Sequence, residues 1–148
     1  MKCSTIAKTL TIGAVAALAL GVAPTAKADN KGCSNASLRG AFGFTGIGTL
    51  LAVPAPFAGP YAEVGSQTFD GKGNTDGTMT ISANGNIMRE TIQGTYTINP
   101  DCTGSLTLYS SPLGVTAHYD LVIDNDGAEL RAICTDPGAV ISRVYRAR

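Results

Sequence analysis

The chain has 148 residues, with eleven acidic and eleven basic side chains, a single histidine and no tryptophan. That length corresponds to one ordinary domain. A balanced, lysine-poor composition without a basic stripe argues against nucleic acid and anionic membrane as partners.

The first 28 residues follow the pattern of a secretory signal peptide. Two lysines supply positive charge, residues 9–23 form an uncharged apolar run, and Ala26–Ala28 ends in small residues of the kind that a signal peptidase reads. The run is short for a membrane span. We therefore predict a signal peptide over residues 1–28 and a single secreted or periplasmic domain over residues 29–148, with no membrane attachment after cleavage. Loss of three lysines leaves that domain with a net charge of −3.

Three cysteines remain in the predicted mature domain, which favours one disulfide and one leftover thiol in an exported protein. Cys33 opens the domain and Cys102 lies in a turn, so a bond between them would tie the amino-terminal segment to the middle of the chain and stabilise it by about 4 kcal/mol. Cys134 falls in an apolar strand pattern and is predicted to be a buried thiol. Pairing of Cys102 with Cys134 is the alternative. The chain has no CxxC motif, so neither thiol–disulfide exchange nor structural zinc is expected.

After Ser34 no segment keeps the spacing of three and four residues that marks an amphipathic helix. Runs rich in Thr, Val, Ile and Tyr alternate with turns such as DGKGN, ANGN and DNDG, whose Asn-Gly and Asp-Gly pairs tolerate the positive φ of tight hairpins. Eight strands are predicted, near residues 38–50, 60–69, 75–83, 86–98, 103–110, 115–124, 127–135 and 139–147. Hairpin-connected strands predict an all-β, eight-stranded antiparallel up-and-down barrel, which removes its exposed edges by closing. A β-sandwich is the alternative.

The connection LLAVPAPFAGP, Leu50 to Pro60, is apolar and uncharged and contains three prolines. Connecting loops are usually polar. The segment is therefore interpreted as a lid over one barrel mouth, as a subunit contact, or as a loop packed on its own barrel.

Alternation along the second predicted strand places one set of side chains together: Tyr61, Glu63, Gly65, Gln67 and Phe69. This face either lines a ligand pocket with a few orienting polar groups or forms the outside of a barrel filled by small residues. Tyr96 and Tyr109 are further candidates for the same cavity. Their alternative role is that of core residues with a solvated hydroxyl.

Glu90 is a carboxylate on an otherwise apolar face of the strand over 86–98. Burying it unpaired would be costly, so it should be paired, protonated or exposed to a pocket. A buried carboxyl group with a raised pKa suits general acid–base catalysis, which makes Glu90 a catalytic candidate together with Glu63. In the alternative interpretation Glu90 reaches water near the strand end or pairs across the sheet.

His118 shares the polar face of its strand with Asp120, their Cα atoms being ~7 Å apart. A carboxylate at this spacing can raise the pKa of the imidazole and orient it, as an acid–base pair requires. The two side chains face either a pocket, the solvated outside or a subunit interface. One histidine cannot supply a two- or three-histidine metal site, and no cofactor motif is present, so any catalysis would be cofactor-free.

Four blocks taken together resemble a known family: CSNASLRGAFGF (residues 33–44), TFDGKGN (68–74), GTYTINPDCTGS (94–105) and TDPG (135–138). They are similar to small secreted bacterial proteins, mostly uncharacterised, of the eight-stranded barrel class that resembles allene oxide cyclase. A more distant similarity is to pyocyanin demethylase, a trimer that holds a flat tricyclic ligand inside its barrel. The resemblance implies a homotrimer and an interior pocket. No site residue of that enzyme matches a position here, so none is carried over.

These observations predict a secreted barrel that binds a small apolar or aromatic molecule, with Asp120 added to the candidate ligand contacts. One alternative is a cofactor-free isomerase, cyclase or hydrolytic dealkylase in which Glu90, Glu63 or His118 moves protons. Another is a purely structural barrel filled by side chains. An eight-stranded barrel is just wide enough to be filled or to hold one small ligand, so strand number does not separate these functions.

Overall fold

The computed structural model describes residues 32–148, which form eight strands; the predicted signal peptide lies outside the described residues. The strands are β1 (Arg39–Leu50), β2 (Gly59–Asp70), β3 (Asn74–Ala83), β4 (Asn86–Ile98), β5 (Thr103–Ser111), β6 (Val115–Asp124), β7 (Glu129–Cys134) and β8 (Ala139–Ala147). Each pairs antiparallel with the next, and β8 returns to pair with β1. The prediction of a closed up-and-down barrel is confirmed, and the sandwich alternative is wrong.

The hairpin chemistry read from the sequence explains the strand boundaries. Ala83 and Asn86 are directly paired, and the two residues between them, Asn84 and Gly85, have φ of 49° and 85°. Positive φ at both central positions is the geometry that an Asn-Gly hairpin supplies. The largest difference from the predicted strand bounds is two residues, at the start of β7. The strand begins at Glu129 and not near residue 127, because Asn125–Gly127 forms a 3₁₀ turn.

One end of the barrel is filled by aromatic and aliphatic side chains; we call this end the closed half. Phe69 stands at its centre, with ring centroids 5.4 Å from Phe42, 5.3 Å from Tyr96 and 6.0 Å from Tyr145. The segment before β1 covers this end, since the Tyr96 hydroxyl donates a hydrogen bond to the carbonyl oxygen of Leu38 at 2.8 Å. This half is therefore packed by the protein's own side chains.

The disulfide fastens that covering segment. Cys33 is bonded to Cys102, with 4.9 Å between their Cα atoms, while Cys134 is a free, buried thiol. The predicted pairing is confirmed and the Cys102–Cys134 alternative is wrong.

No helix among residues 32–148 is long and apolar enough to cross a membrane.

Candidate functional site

The half of the barrel opposite the closed half surrounds a cavity of about 290 Å³ that opens at the barrel mouth. Its walls are largely apolar, and they include Met79, Ile81, Met88, Ile92, Leu108 and Ile141. Every second residue of a closed sheet points inward, so the apolar residues at these alternating positions form the cavity wall. Small-molecule sites in proteins combine such an apolar wall with a few polar groups.

The apolar connection between β1 and β2, residues 51–58, lies across the mouth, and we call it the lid loop. Ala52, Val53 and Phe57 line the cavity. The backbone N–H groups of Leu51 and Ala52 donate to the carbonyl oxygen of Gly138 at 2.7 and 3.2 Å. The sequence allows three interpretations of this segment: a lid, a subunit contact or a loop packed on its own barrel. In the structure it is both a cover over the mouth and a loop packed on its own barrel.

The floor of the cavity is a buried ion pair. Arg143 of β8 donates from Nε to Oε1 of Glu63 and from Nη2 to Oε2, the latter at 2.7 Å. Both side chains are almost completely buried. They belong to the two strands that flank β1, and Gly46 of β1 stands opposite both of them. A Cβ atom on Gly46 would collide with the Glu63 carboxylate, so the pair depends on a residue without a side chain.

Two tyrosines complete the polar floor. The Tyr61 hydroxyl donates to Oε2 of Glu63 at 2.6 Å, and burial together with the Glu63 charge raises the pKa of Tyr61 well above its usual value. The guanidinium carbon of Arg143 lies 4.5 Å from the ring centroid of Tyr119, and burial raises the pKa of Tyr119 as well. Both phenols are therefore protonated at neutral pH and can act as donors.

The predicted pocket face of β2 does point inward, but its residues divide between the two halves. Tyr61 lines the cavity. Gln67, Phe69 and Tyr96 lie in the closed half, where Gln67 Nε2 donates to Thr75 Oγ1 at 2.9 Å. They are separated from the cavity by the Glu63–Arg143 pair. Whether a residue lies in the cavity or in the closed half depends on its position along the barrel axis. Alternation along a strand does not give that position.

Glu90 also points inward, where the structure gives it a partner. Its Oε2 accepts a hydrogen bond from the backbone N–H of Leu113 at 3.0 Å, so the carboxylate anchors the turn between β5 and β6. Glu90 is buried beneath this turn and is not part of the cavity wall. The sequence predicts that Glu90 is paired, protonated or exposed to a pocket, and the structure pairs it with a backbone N–H group.

The remaining candidates lie outside the barrel. Tyr109 is 49% exposed, and Asp120 is exposed on the outer face of β6. His118 is exposed too, and its partner is Asp136 rather than Asp120: Nδ1 lies 2.7 Å from Asp136 Oδ1, and its backbone N–H donates to Oδ2 at 2.7 Å. Pairing of β6 with the chain after β7 brings these two groups together across strands, which a same-strand spacing argument misses.

Asp136 and Cys134 mark the rim and wall of the cavity near the lid loop. Partial burial opposes ionisation of Asp136, but the hydrogen bonds from His118 outweigh it and hold the Asp136 pKa below its usual value. Burial raises the pKa of the Cys134 thiol. No three His, Cys, Asp or Glu side chains among residues 32–148 are grouped as a metal site would require.

Three cavity residues escaped sequence reasoning: Arg143, Tyr119 and Asp136. Arg143 had a usable signal, since it alternates with Ile141 and Tyr145 as the single charge on an apolar face of β8. Tyr119 alternates with Ala117 and Leu121 on an apolar face of β6, where a tyrosine is ordinarily a core residue. Asp136 belongs to a turn sequence, where an acidic residue is ordinary.

No protein-family model matches this chain. No curated protein matches it either. Among solved structures it is similar to a redesigned β-barrel, with a TM-score of 0.56, 13% sequence identity, and coverage of 77% of this chain and 94% of that chain. A likeness at this identity concerns the barrel fold alone.

Proposed function

We propose that this protein is a secreted barrel that binds one small apolar or aromatic molecule in its open half. The observation that carries the proposal is the cavity of about 290 Å³, apolar on its walls and polar at its floor. Burial of an apolar ligand surface there contributes roughly 25 cal/mol per Å². A purely structural barrel would be filled by side chains, whereas half of this one surrounds open space.

The lid loop supports the same function. Phe57 and Val53 face the cavity from the mouth, so a bound molecule would be covered by apolar surface on that side as well. The loop is tied to the barrel rim by hydrogen bonds, including one from Asn84 Nδ2 to the carbonyl oxygen of Pro56 at 2.9 Å. A molecule held beneath it would be largely withdrawn from water.

Binding is favoured over proton-transfer catalysis because none of the three candidate catalytic groups presents an unpaired acid or base to the cavity. Both oxygens of Glu63 are occupied by Arg143 and Tyr61. Glu90 is bonded to the β5–β6 turn, and His118 lies on the outside. A general acid or base must come within hydrogen-bond reach of its substrate.

Export and assembly form a second part of the proposal. The signal pattern and the disulfide suit an oxidising compartment outside the cytoplasm, and the resemblance to allene oxide cyclase-like barrels suggests a homotrimer. Native mass spectrometry of protein recovered from its source's culture medium or periplasm tests these points together. We expect a chain that begins at Asp29, a trimeric mass and a small adduct. A chain retaining residues 1–28, or a monomer, would contradict the corresponding part.

Binding itself is tested by equilibrium dialysis with naphthalene as the probe. We expect saturable binding of one molecule per chain. Ala139→Phe, which places a ring in the cavity, should weaken binding at least about tenfold, whereas the adjacent Val140→Phe on the outer face should not. Absence of saturable binding, or equal effects of the two substitutions, would refute the proposed function.

A further inference from the structure

We infer that the ligand is uncharged, is about the size of two fused six-membered rings, and carries a carbonyl oxygen that accepts a hydrogen bond from Tyr119. This inference rests on the proposed function and specifies its ligand class. It follows from three independent features of the cavity: its volume, one buried hydroxyl group without a partner, and the balance of charge around it.

The volume sets the size. An apolar cavity of about 150 Å³ lined by Leu, Ile and Phe is enough to hold one benzene molecule. The cavity of this barrel, at about 290 Å³, is close to twice as large. A flat bicyclic molecule therefore fills it, with its inner edge against the floor and its outer edge beneath Phe57 of the lid loop.

Tyr119 supplies the polar contact. The residue is only 3% exposed, yet its hydroxyl makes no hydrogen bond to any residue that the structure describes. Within residues 32–148, Gln67 Oε1 is the one fully enclosed side-chain polar atom without a partner, so the Tyr119 hydroxyl must border open space. The space that Tyr119 borders is the cavity. A buried hydroxyl left unpaired is unfavourable, and a ligand that pairs with it removes that penalty.

The hydroxyl is available as a donor here. Its pKa is raised by burial, so the proton stays on the phenol. The neighbouring guanidinium of Arg143, which also lines the cavity, has only donors to offer. The floor therefore presents hydrogens, and the matching ligand group is an acceptor such as a carbonyl oxygen.

The charges around the cavity favour an uncharged ligand. Glu63 neutralises Arg143 through two hydrogen bonds, so the floor has no free positive charge for a carboxylate. Asp136 adds a negative charge at the rim. A cationic group at the floor would meet the Arg143 guanidinium. An ion of either sign would thus lose its hydration without gaining a counter-charge there.

The test compares three probes of the same ring size, namely 2-acetylnaphthalene, 2-ethylnaphthalene and 2-naphthoate, by equilibrium dialysis at neutral pH. Wild type is compared with Tyr119→Phe and with Tyr109→Phe, whose hydroxyl lies on the outer face. We expect Tyr119→Phe to weaken binding of 2-acetylnaphthalene by about 3- to 10-fold, the value of one hydrogen bond, and to leave 2-ethylnaphthalene unchanged. Tyr109→Phe should change neither, and 2-naphthoate should bind most weakly.

The outcomes separate this inference from the function on which it rests. If wild type binds none of the probes, the proposed function fails. If it binds both uncharged probes but Tyr119→Phe affects them equally, or if 2-naphthoate binds as tightly as 2-acetylnaphthalene, only the ligand class is overturned.

Should Tyr119→Phe not fold, the carbonyl ¹³C resonance of 2-acetylnaphthalene bound to wild type tests the inference instead. We expect the downfield shift of a hydrogen-bonded ketone, and its absence would overturn the inference.

Discussion

Arg143 and Glu63 meet face to face across Gly46, at the level where the closed half of the barrel ends and the cavity begins. The guanidinium also stacks on Tyr119 and, at 5.1 Å from the ring centroid, on Phe44. Arg143 thus has the carboxylate as its ionic partner and aromatic rings on its flanks. The pair forms a neutral partition inside the barrel, and the stability of the fold and the polarity of the cavity floor both depend on it.

Removing one partner of this ion pair should destabilise the protein strongly. Glu63→Gln leaves the Arg143 charge buried without a counter-charge, and we expect a loss of about 3–5 kcal/mol in the free energy of unfolding, measured with urea. The exposed pair Arg146–Glu129, at 3.3 Å, provides the control, and Glu129→Gln should change little. The double substitution Glu63→Leu with Arg143→Met should restore much of the loss. A Glu63→Gln protein as stable as wild type would contradict this view of the pair.

Gly46 is predicted to be intolerant of even a methyl group. In Gly46→Ala the Cβ atom would displace the Glu63 carboxylate, and we expect a loss of about 1–3 kcal/mol in urea unfolding. Gly43→Ala on the same strand is a matched control, because its Cβ would meet only the Arg148 side chain at 3.7 Å. Equal effects at the two positions would mean that general strand propensity, and not the ion pair, explains Gly46.

Reduction of the disulfide should lower stability without changing the fold of the barrel. Cys33 and Cys102 are 69 residues apart, a loop whose closure is worth about 4 kcal/mol in the chain-entropy account. We expect a loss of this order for the double substitution to serine, and no further loss for that variant on addition of a reductant. A chain of residues 29–148 titrated with a thiol reagent after unfolding should show one free thiol, Cys134.

Cys134 provides a chemical report on the cavity. Because its thiol lines the cavity and burial raises its pKa, N-ethylmaleimide should modify folded protein more slowly than unfolded protein at neutral pH. Bound naphthalene should slow the reaction further, and Ala139→Phe should remove that protection. Modification followed by mass spectrometry measures both rates. Protection that persists in Ala139→Phe would place the ligand elsewhere.

Asp136 should make the cavity rim sensitive to acid. Its pKa is lower in the folded protein than its usual 3.8, so its contribution is present above that pH and is lost as the pH falls through the folded-state value. We expect Asp136→Asn to reduce the free energy of unfolding by about 1 kcal/mol at neutral pH, with the difference from wild type narrowing below 3.8. Asp120→Asn, which removes an exposed carboxylate on the outer face of β6, is the control at neutral pH, where it should change the free energy of unfolding little. A constant gap for Asp136→Asn would contradict the ionic character of its hydrogen bonds.

Sequence reasoning was most successful where structure is local. Asn84-Gly85 has the backbone geometry that its hairpin demands, and strand bounds were predicted to within two residues because turn residues mark them directly. Closure of the barrel followed from strand number and hairpin order. Alternation likewise grouped Glu63 with Tyr61 and Phe69 and set Glu90 on an apolar face, since side chains of a strand point to opposite sides in turn. It left open whether the Glu63 face points into the barrel or out of it.

Only the tertiary structure decided what those inward groups do. Glu63 meets Arg143 from 80 residues away because β8 closes on β1, and Glu90 meets the backbone of a turn that no pattern on its own strand contains. His118 finds Asp136 rather than its strand neighbour Asp120 for the same reason. A period of two along one strand reports the face of a residue, but it does not report its depth in the barrel or its partner across the sheet. Those two quantities separate the closed half from the cavity.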